Sequence, residues 1–235
     1  MIKTEEIKKD LEIFANFEKA NILQRFFKTK KGEYGEGDIF LGIVVPNIRK
    51  VAKRHKDASL KDIRKHLYSK IHEERMCALF LLVEKYAEVD KQEKKKIFNF
   101  YVKNVKQINN WDLVDLSAPK IVGEYLLDKS KDILYKLAKS SNIWKRRVAI
   151  ISTFSFIKKE KFTDTLKISE ILLHDSHDLI QKAVGWMLRE VGKRSLKDEE
   201  VFLKNHYKKM PRTMLRYAIE KFPENKRLSY LKNMA

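Results

Sequence analysis

One cysteine, seven glycines and four prolines are all this chain of 235 residues contains of those three types. A lone cysteine, Cys77, excludes a disulfide within the chain and fits a reducing compartment. It sits in the apolar run Met76-Cys77-Ala78-Leu79-Phe80, where a small core residue is expected. So few turn-forming residues argue against a sheet-rich fold and in favour of helix. No apolar run reaches the length needed to cross a bilayer, and Met1-Ile2-Lys3-Thr4-Glu5-Glu6 has no apolar signal region. The expectation is a soluble, cytoplasmic protein with no membrane association. Acidic residues are also scarce: 32 Asp and Glu stand against 51 Lys and Arg, a net charge of +19. That surplus points to a polyanionic partner.

What is present is a packed core and a repeat. Hydrophobic residues make up 43% and aromatic residues 11%. Five segments of helical periodicity each centre on an alanine in an apolar and basic setting: Ala78, Ala118, Ala149, Ala183 and Ala218, at spacings of 40, 31, 34 and 35 residues. Helix pairs recurring at this interval mark an α-solenoid, and the small residue lets stacked helices approach. No linker interrupts the series, so residues 1–235 read as one domain with a concave surface along one side. Ser59 with Asp62 and Ser195 with Asp198 read as capping boxes. Pro46 and Pro211 suit first-turn positions, and Pro223 separates the last two helices. The stretch Lys28–Asp38 holds three of the seven glycines. It has neither the lysine nor the spacing of a phosphate-binding loop and reads as a connector.

The helix expected from about Asn110 to Leu127 carries an apolar stripe through Val114, Ala118, Ile121, Val122 and Tyr125. Trp111 and Asp115, one turn apart, fall along that side, while Asp112 points away. A carboxylate there must be paired, hydrogen-bonded or functional. One reading is a satisfied group stapling neighbouring helices; the other is an anion beside an aromatic ring where positive charge appears. Trp186 lies beside the stripe Ile180, Val184, Met187, Leu188 and Val191, in register with Lys182, Arg189 and Lys193. It suits stacking on a nucleotide while the cations hold phosphates, or plugging a gap between repeats. Arg147, three residues beyond Trp144, can clamp a phosphate or pair with Asp115, and Arg146 stands beside it. His174 and His177 lack a third ligand, so no metal is expected. His55, His66, His72 and His206 lie among basic residues and read as surface. No serine or cysteine triad can be assembled.

These residues resemble the DNA alkylation repair family, the AlkD-type alkylpurine DNA glycosylases built from HEAT-like repeats. The similarity covers most of the chain. It runs through Phe40-Leu41-Gly42-Ile43 with Pro46 and Arg49, Trp111-Asp112 with Val114-Asp115, Asn142-Ile143-Trp144 with Arg147, and Gln181-Lys182-Ala183 with Gly185-Trp186 and Leu188-Arg189-Glu190. The resemblance implies an all-α solenoid that wraps duplex DNA in its concave face. It implies hydrolysis of the N-glycosidic bond of purines alkylated at N3 or N7, by a monomer without cofactor or metal. Carried over, Asp115 is the catalytic carboxylate, Trp111 and Trp186 line the cleft, and Arg147 and Arg189 hold phosphates. Arg146, Lys182, Lys193 and Arg49 join them as DNA-binding cations. Where family members often carry a second aromatic before the tryptophan, this chain has Asn110, and Phe26 and Val44 stand where some have polar residues. The alternative is a HEAT-repeat paralogue that binds damaged or branched DNA without catalysis.

Overall fold

In the computed structural model, which describes residues 3–232 and 234, the architecture is all-α and made of helical repeats. Among the described residues the only strand-like pairing is a single parallel bridge between Ile39 and Ile71. The chain divides into two compact units, Met1–Leu113 and Val114–Ala235, where the sequence alone suggested one continuous series. Of the polar N-terminal segment, Met1 and Ile2 lie outside the described residues.

In the first unit the helix His72–Glu88 is the centre, and Val45–Arg54, Leu60–Leu67 and Lys3–Glu12 pack around it. Its residues from His72 to Val83 are all buried, which is why its apolar periodicity is weak: a helix covered all round needs no polar face. Cys77 is fully buried here, and burial, reinforced by Glu74, pushes its thiol up to about 12, so it stays protonated and inert. In the second unit Asp178–Gly192 is the central helix, packed by Ile143–Ser152, Leu196–His206 and Arg212–Ala218.

The five repeat alanines all lie in helices and are all fully buried. Two residues beyond Ala183 the close approach is made by a glycine: a Cβ on Gly185 would stand 2.4 Å from the Met214 carbonyl oxygen and 2.5 Å from Tyr217 Cβ. The helices Asp178–Gly192 and Arg212–Ala218 therefore touch backbone to backbone.

The expected caps are present with one difference. Ser59 and Asp62 form both halves of a capping box. Ser195 caps Leu196–His206 by accepting from the Asp198 amide, but its own amide donates to the Val191 carbonyl, so the reciprocal half is replaced. Pro46, Pro211 and Pro223 stand at helix starts. The connector around Gly32 and Gly37 has both glycines at positive φ, 82° and 84°, where a side chain would be strained.

Three histidines are not at the surface as their basic neighbours suggested. His55, His66 and His72 are buried, each against a carboxylate: Asp10 at 2.7 Å, Glu74 at 3.3 Å and Asp112 at 2.8 Å. Burial of an imidazole is tolerated when both ring nitrogens can be used or a carboxylate stands opposite.

Candidate active site and nucleic-acid interface

Trp111 opens the helix Trp111–Ala118, which continues through a π-helical turn at Pro119–Gly123 into Glu124–Leu126. The sequence expectation of a helix from about 110 to 127 is met, with an irregularity that Pro119 explains. Proline has no N–H to donate to the carbonyl four residues back, which belongs to Asp115, and its ring crowds that carbonyl. The helix widens there instead of breaking, and the Ser155 hydroxyl donates to the Pro119 carbonyl at 2.7 Å. Val114, Ala118, Ile121 and Val122 are fully buried, as their spacing implied.

In the first unit Trp111 is held by rings and by its own N-terminal neighbour. Its indole stacks on Phe27 at 5.3 Å and 17°, with Phe26 edge-on at 6.2 Å. Phe27 stacks in turn on Phe40, and Phe40 on His72 at 4.5 Å. Asn110, fully buried, accepts the Trp111 amide at 2.8 Å and donates to Asp38 at 3.2 Å. Thus Asn110 fixes the helix start.

Beneath these rings lies a buried charge network. His72 Nε2 reaches Asp112 at 2.8 Å and Nδ1 faces Asp38 at 3.4 Å, while Arg75 pairs with Asp38 at 2.7 Å. Burial disfavours the His72 imidazolium, but Asp112 and Asp38 outweigh it and hold the ring above its ordinary value. Burial likewise works against the Asp38 anion, and His72, Arg75 and Asn110 together hold it below the usual carboxylate range. Asp112 does point away from the Asp115 side, but into this network. None of these partners is near it in sequence, although His72 shares a helical stripe with Met76 and Leu79.

In the second unit Asp115 meets Arg147 in a two-pronged ion pair: Nε to Oδ1 at 2.9 Å and Nη2 to Oδ2 at 2.8 Å. Arg147 also donates from Nη1 to the Leu179 carbonyl at 2.5 Å. The Arg147 side chain is 6% exposed and that of Asp115 14%. A bidentate guanidinium with a third anchor is a rigid holder. Of the two roles foreseen for Arg147, which do not exclude one another, the pairing with Asp115 is formed.

Trp186 is half-buried beside a fully buried stripe of Ile180, Val184, Met187, Leu188 and Val191. Its indole N–H donates to Glu190 at 3.3 Å, and Phe154 lies 5.9 Å from its ring. Burial raises Glu190, but Lys193 and Arg194 bring it below the ordinary value, so it accepts as an anion. Sequence reasoning gives Glu190 no role of its own; its four-residue spacing from Trp186 was the signal.

The cations expected to hold DNA all have partners within the protein. Arg146 pairs with Asp175 at 2.6 Å and donates to the carbonyls of Ser140 and Ser141, so it too is engaged. Lys182 pairs with Asp178 at 2.9 Å, Lys193 with Glu190 at 2.5 Å, and Arg189 with Glu220. Arg49 lies over the Phe80 ring at 4.0 Å. The Lys182 and Lys193 pairs are part-exposed, and such pairs contribute only about 0–1 kcal/mol, so a phosphate can replace the carboxylate. The stretch Phe40-Leu41-Gly42-Ile43 serves the fold, because its Leu41, Gly42 and Ile43 amides converge on the buried Glu73 carboxylate at 2.8–3.2 Å. His177 caps the Asp178–Gly192 helix, accepting the Leu179 amide.

A family model described as DNA alkylation repair enzyme matches residues 7–222. The chain belongs to the DNA alkylation repair family. Membership assigns it a role in DNA alkylation repair as an enzyme, with DNA as the substrate such a role implies. Among solved structures, a predicted DNA alkylation repair enzyme from Enterococcus faecalis superposes with a TM-score of 0.68 at 18% identity, covering 89% of this chain and 97% of its own. AlkD2 from Streptococcus mutans gives 0.55 at 22% identity, covering 94% of this chain and 97% of its own. The protein smu.31 from Streptococcus mutans UA159 gives 0.55 at 21%, with 94% and 100% covered. At these identities the likeness is one of fold. A comparison with curated protein sequences gives no match.

Proposed function

We propose that this member of the DNA alkylation repair family is a monofunctional glycosylase that hydrolyses the N-glycosidic bond of N3- and N7-alkylated purines in duplex DNA. The observation that carries this reading is Asp115: a carboxylate fixed by a buried arginine, still partly open, one turn after a stacked tryptophan. A purine alkylated at N3 or N7 is already cationic and leaves as a neutral base without a general acid. What the protein must supply is stabilisation of the oxocarbenium-like sugar, and a fixed anion does so electrostatically. The Arg147 fork sets the plane of the Asp115 carboxylate, and the part-exposed edge of that group meets the sugar and orients a water. Each unit brings a tryptophan, Trp111 in the first and Trp186 in the second, whose ring face attracts cationic groups. Arg189, Lys182, Lys193 and Arg49 exchange their present partners for backbone phosphates. Arg147 acts by positioning Asp115, and Arg146 by anchoring the start of its own helix. No lysine stands out as a depressed-pKa nucleophile, so lyase chemistry is not part of the reading.

A second reading is a DNA-binding paralogue without catalysis, and one observation favours it: Arg147 compensates the Asp115 charge. The two part in a single assay, release of 7-methylguanine or 3-methyladenine from methylated duplex. Salt-sensitive binding with no base released would sustain the second and remove the first.

A further inference from the structure

Within the second unit, the end of the Asp178–Gly192 helix, the helix Leu196–His206 and the turn joining Ile219–Lys221 to Glu224–Leu231 enclose a cavity of about 280 Å³. Leu196, Phe222 and Pro223 give it apolar walls, and Arg189, Lys193, Lys221 and Lys226 bring four cations to it. Of their present carboxylate partners, Glu220 is exposed, Glu200 is part-exposed and Glu190 is buried. The unusual member of the lining is Glu199. It is 2% exposed and its Oε1 has no hydrogen-bond partner. Its other oxygen lies where a Cβ on Gly192 would stand, 1.6 Å away, so the glycine makes room for this carboxyl. Arg189 Nε is a second buried polar atom without a partner at the same place. Leaving a buried polar group unsatisfied costs about 1–3 kcal/mol, and both such groups belong to residues that line this one cavity.

We infer that this cavity is a binding site for a small phosphate ester, its phosphate met by Lys221, Lys226, Lys193 and Arg189 and its organic part by Leu196, Phe222 and Pro223, with Glu199 hydrogen-bonded to it. Four cations exceed what a monocarboxylate would need and match a dianionic phosphate. The apolar walls exclude bare phosphate as the full ligand, since they would lie dry against an ion. The volume is near the lower end of ligand pockets, about 300 Å³, which sets the scale of a sugar phosphate or mononucleotide. Burial, reinforced by Glu200 and only partly opposed by Arg189 and Lys226, pushes Glu199 up to about 8. At neutral pH it is therefore mostly a carboxylic acid, able to donate to an anion. The ester can come free in solution or as the phosphorylated end of a DNA strand. The inference shares Arg189 and Lys193 with the proposed DNA contacts, and Lys221 and Lys226, which lie outside those contacts, keep its test separate from base excision.

The test is calorimetric titration of the full chain with deoxyadenosine 5′-monophosphate and with inorganic phosphate. One saturable site is expected, binding the nucleotide at least about tenfold more tightly than phosphate, and the double variant Lys221→Ala/Lys226→Ala should weaken it by at least about tenfold with its melting temperature retained. Between about pH 7.5 and about pH 9 the phosphate charge is constant while Glu199 ionises, so wild-type affinity should fall, and Glu199→Gln should bind alike at both. Displacement of the nucleotide by a 5′-phosphorylated duplex but not by its 5′-hydroxyl counterpart assigns the site to DNA ends; no displacement assigns it to the free ester; equal displacement by both duplexes assigns these cations to the DNA backbone and overturns the proposal. Absence of a saturable site, equal affinity for inorganic phosphate, or indifference to the lysine pair overturns the proposal.

Discussion

Replacing Asp115 by asparagine removes a charge while keeping the shape of the side chain, and its consequences can be worked through from the Arg147 pair. A unit charge about 4 Å from a sugar cation, at an effective dielectric of about 20, contributes about 4 kcal/mol. Arg147 stands one ion-pair length further off; at about 7 Å it opposes the same cation by about 2.4 kcal/mol, whether or not Asp115 is charged. The wild-type site is then net attractive by about 2 kcal/mol and the variant net repulsive by about the same, a difference of about 4 kcal/mol. That is about a thousandfold in the rate of base release. The variant also leaves a guanidinium that is 6% exposed without its anion. Breaking a buried pair costs about 3–5 kcal/mol, lessened here because the amide oxygen can still accept one N–H. Chemistry and folding must therefore be read separately. Single-turnover release of 7-methylguanine from methylated duplex should be measured well below the variant's melting temperature, with DNA affinity alongside. A folded, DNA-binding Asp115→Asn variant that releases base within threefold of the wild type would refute the electrostatic role.

Trp186→Ala should lower base release by about fivefold to 150-fold, the value of about 1–3 kcal/mol for one stacked base, with circular dichroism checking that the helices persist. His72→Asn should destabilise by about 3–5 kcal/mol in urea unfolding near neutral pH, because Asp112 loses its cation while Asp38 keeps only Arg75. The pH dependence has a definite sign. His72 is raised in the folded state, so its stabilisation is complete below about 6.5 and is lost as the pH climbs through the folded value; Asp38 is lowered, so its share is lost as the pH falls through its own. The gap between wild type and His72→Asn should thus narrow on the alkaline side, and a gap independent of pH would contradict the charged imidazole. Gly185→Ala should cost about 1–3 kcal/mol or more, since the new methyl meets the Met214 carbonyl at 2.4 Å and a backbone atom cannot turn aside; an unchanged melting temperature would show that the two helices slide apart freely.

How much of this could be read from residues alone depends on the distance over which each feature is determined. The five alanines, the apolar stripes around Asp115 and Trp186, and the Ser59 capping box are local matters of spacing, and all are present in the fold. The π-helical turn is local as well: Pro119, four residues beyond Asp115, marked it, and an unbroken apolar stripe on either side concealed it.

Charged groups are the opposite case, because what decides their burial is far away in the chain. His72 sits among basic residues and looks solvated, yet Asp112, 40 positions on, and Asp38, 34 positions back, turn a costly buried imidazole into the middle of a charge network. Composition carries the same blind spot. A surplus of +19 says that a polyanion is attracted; it does not say that Arg146 and Arg147 are held by Asp175 and Asp115, about thirty residues off in each case. Lys182 and Lys193 pair within a turn and can let go, whereas a guanidinium closed on a carboxylate and a carbonyl keeps its place. Arg147 is held in this way, and under the proposed function its part is to hold Asp115 still.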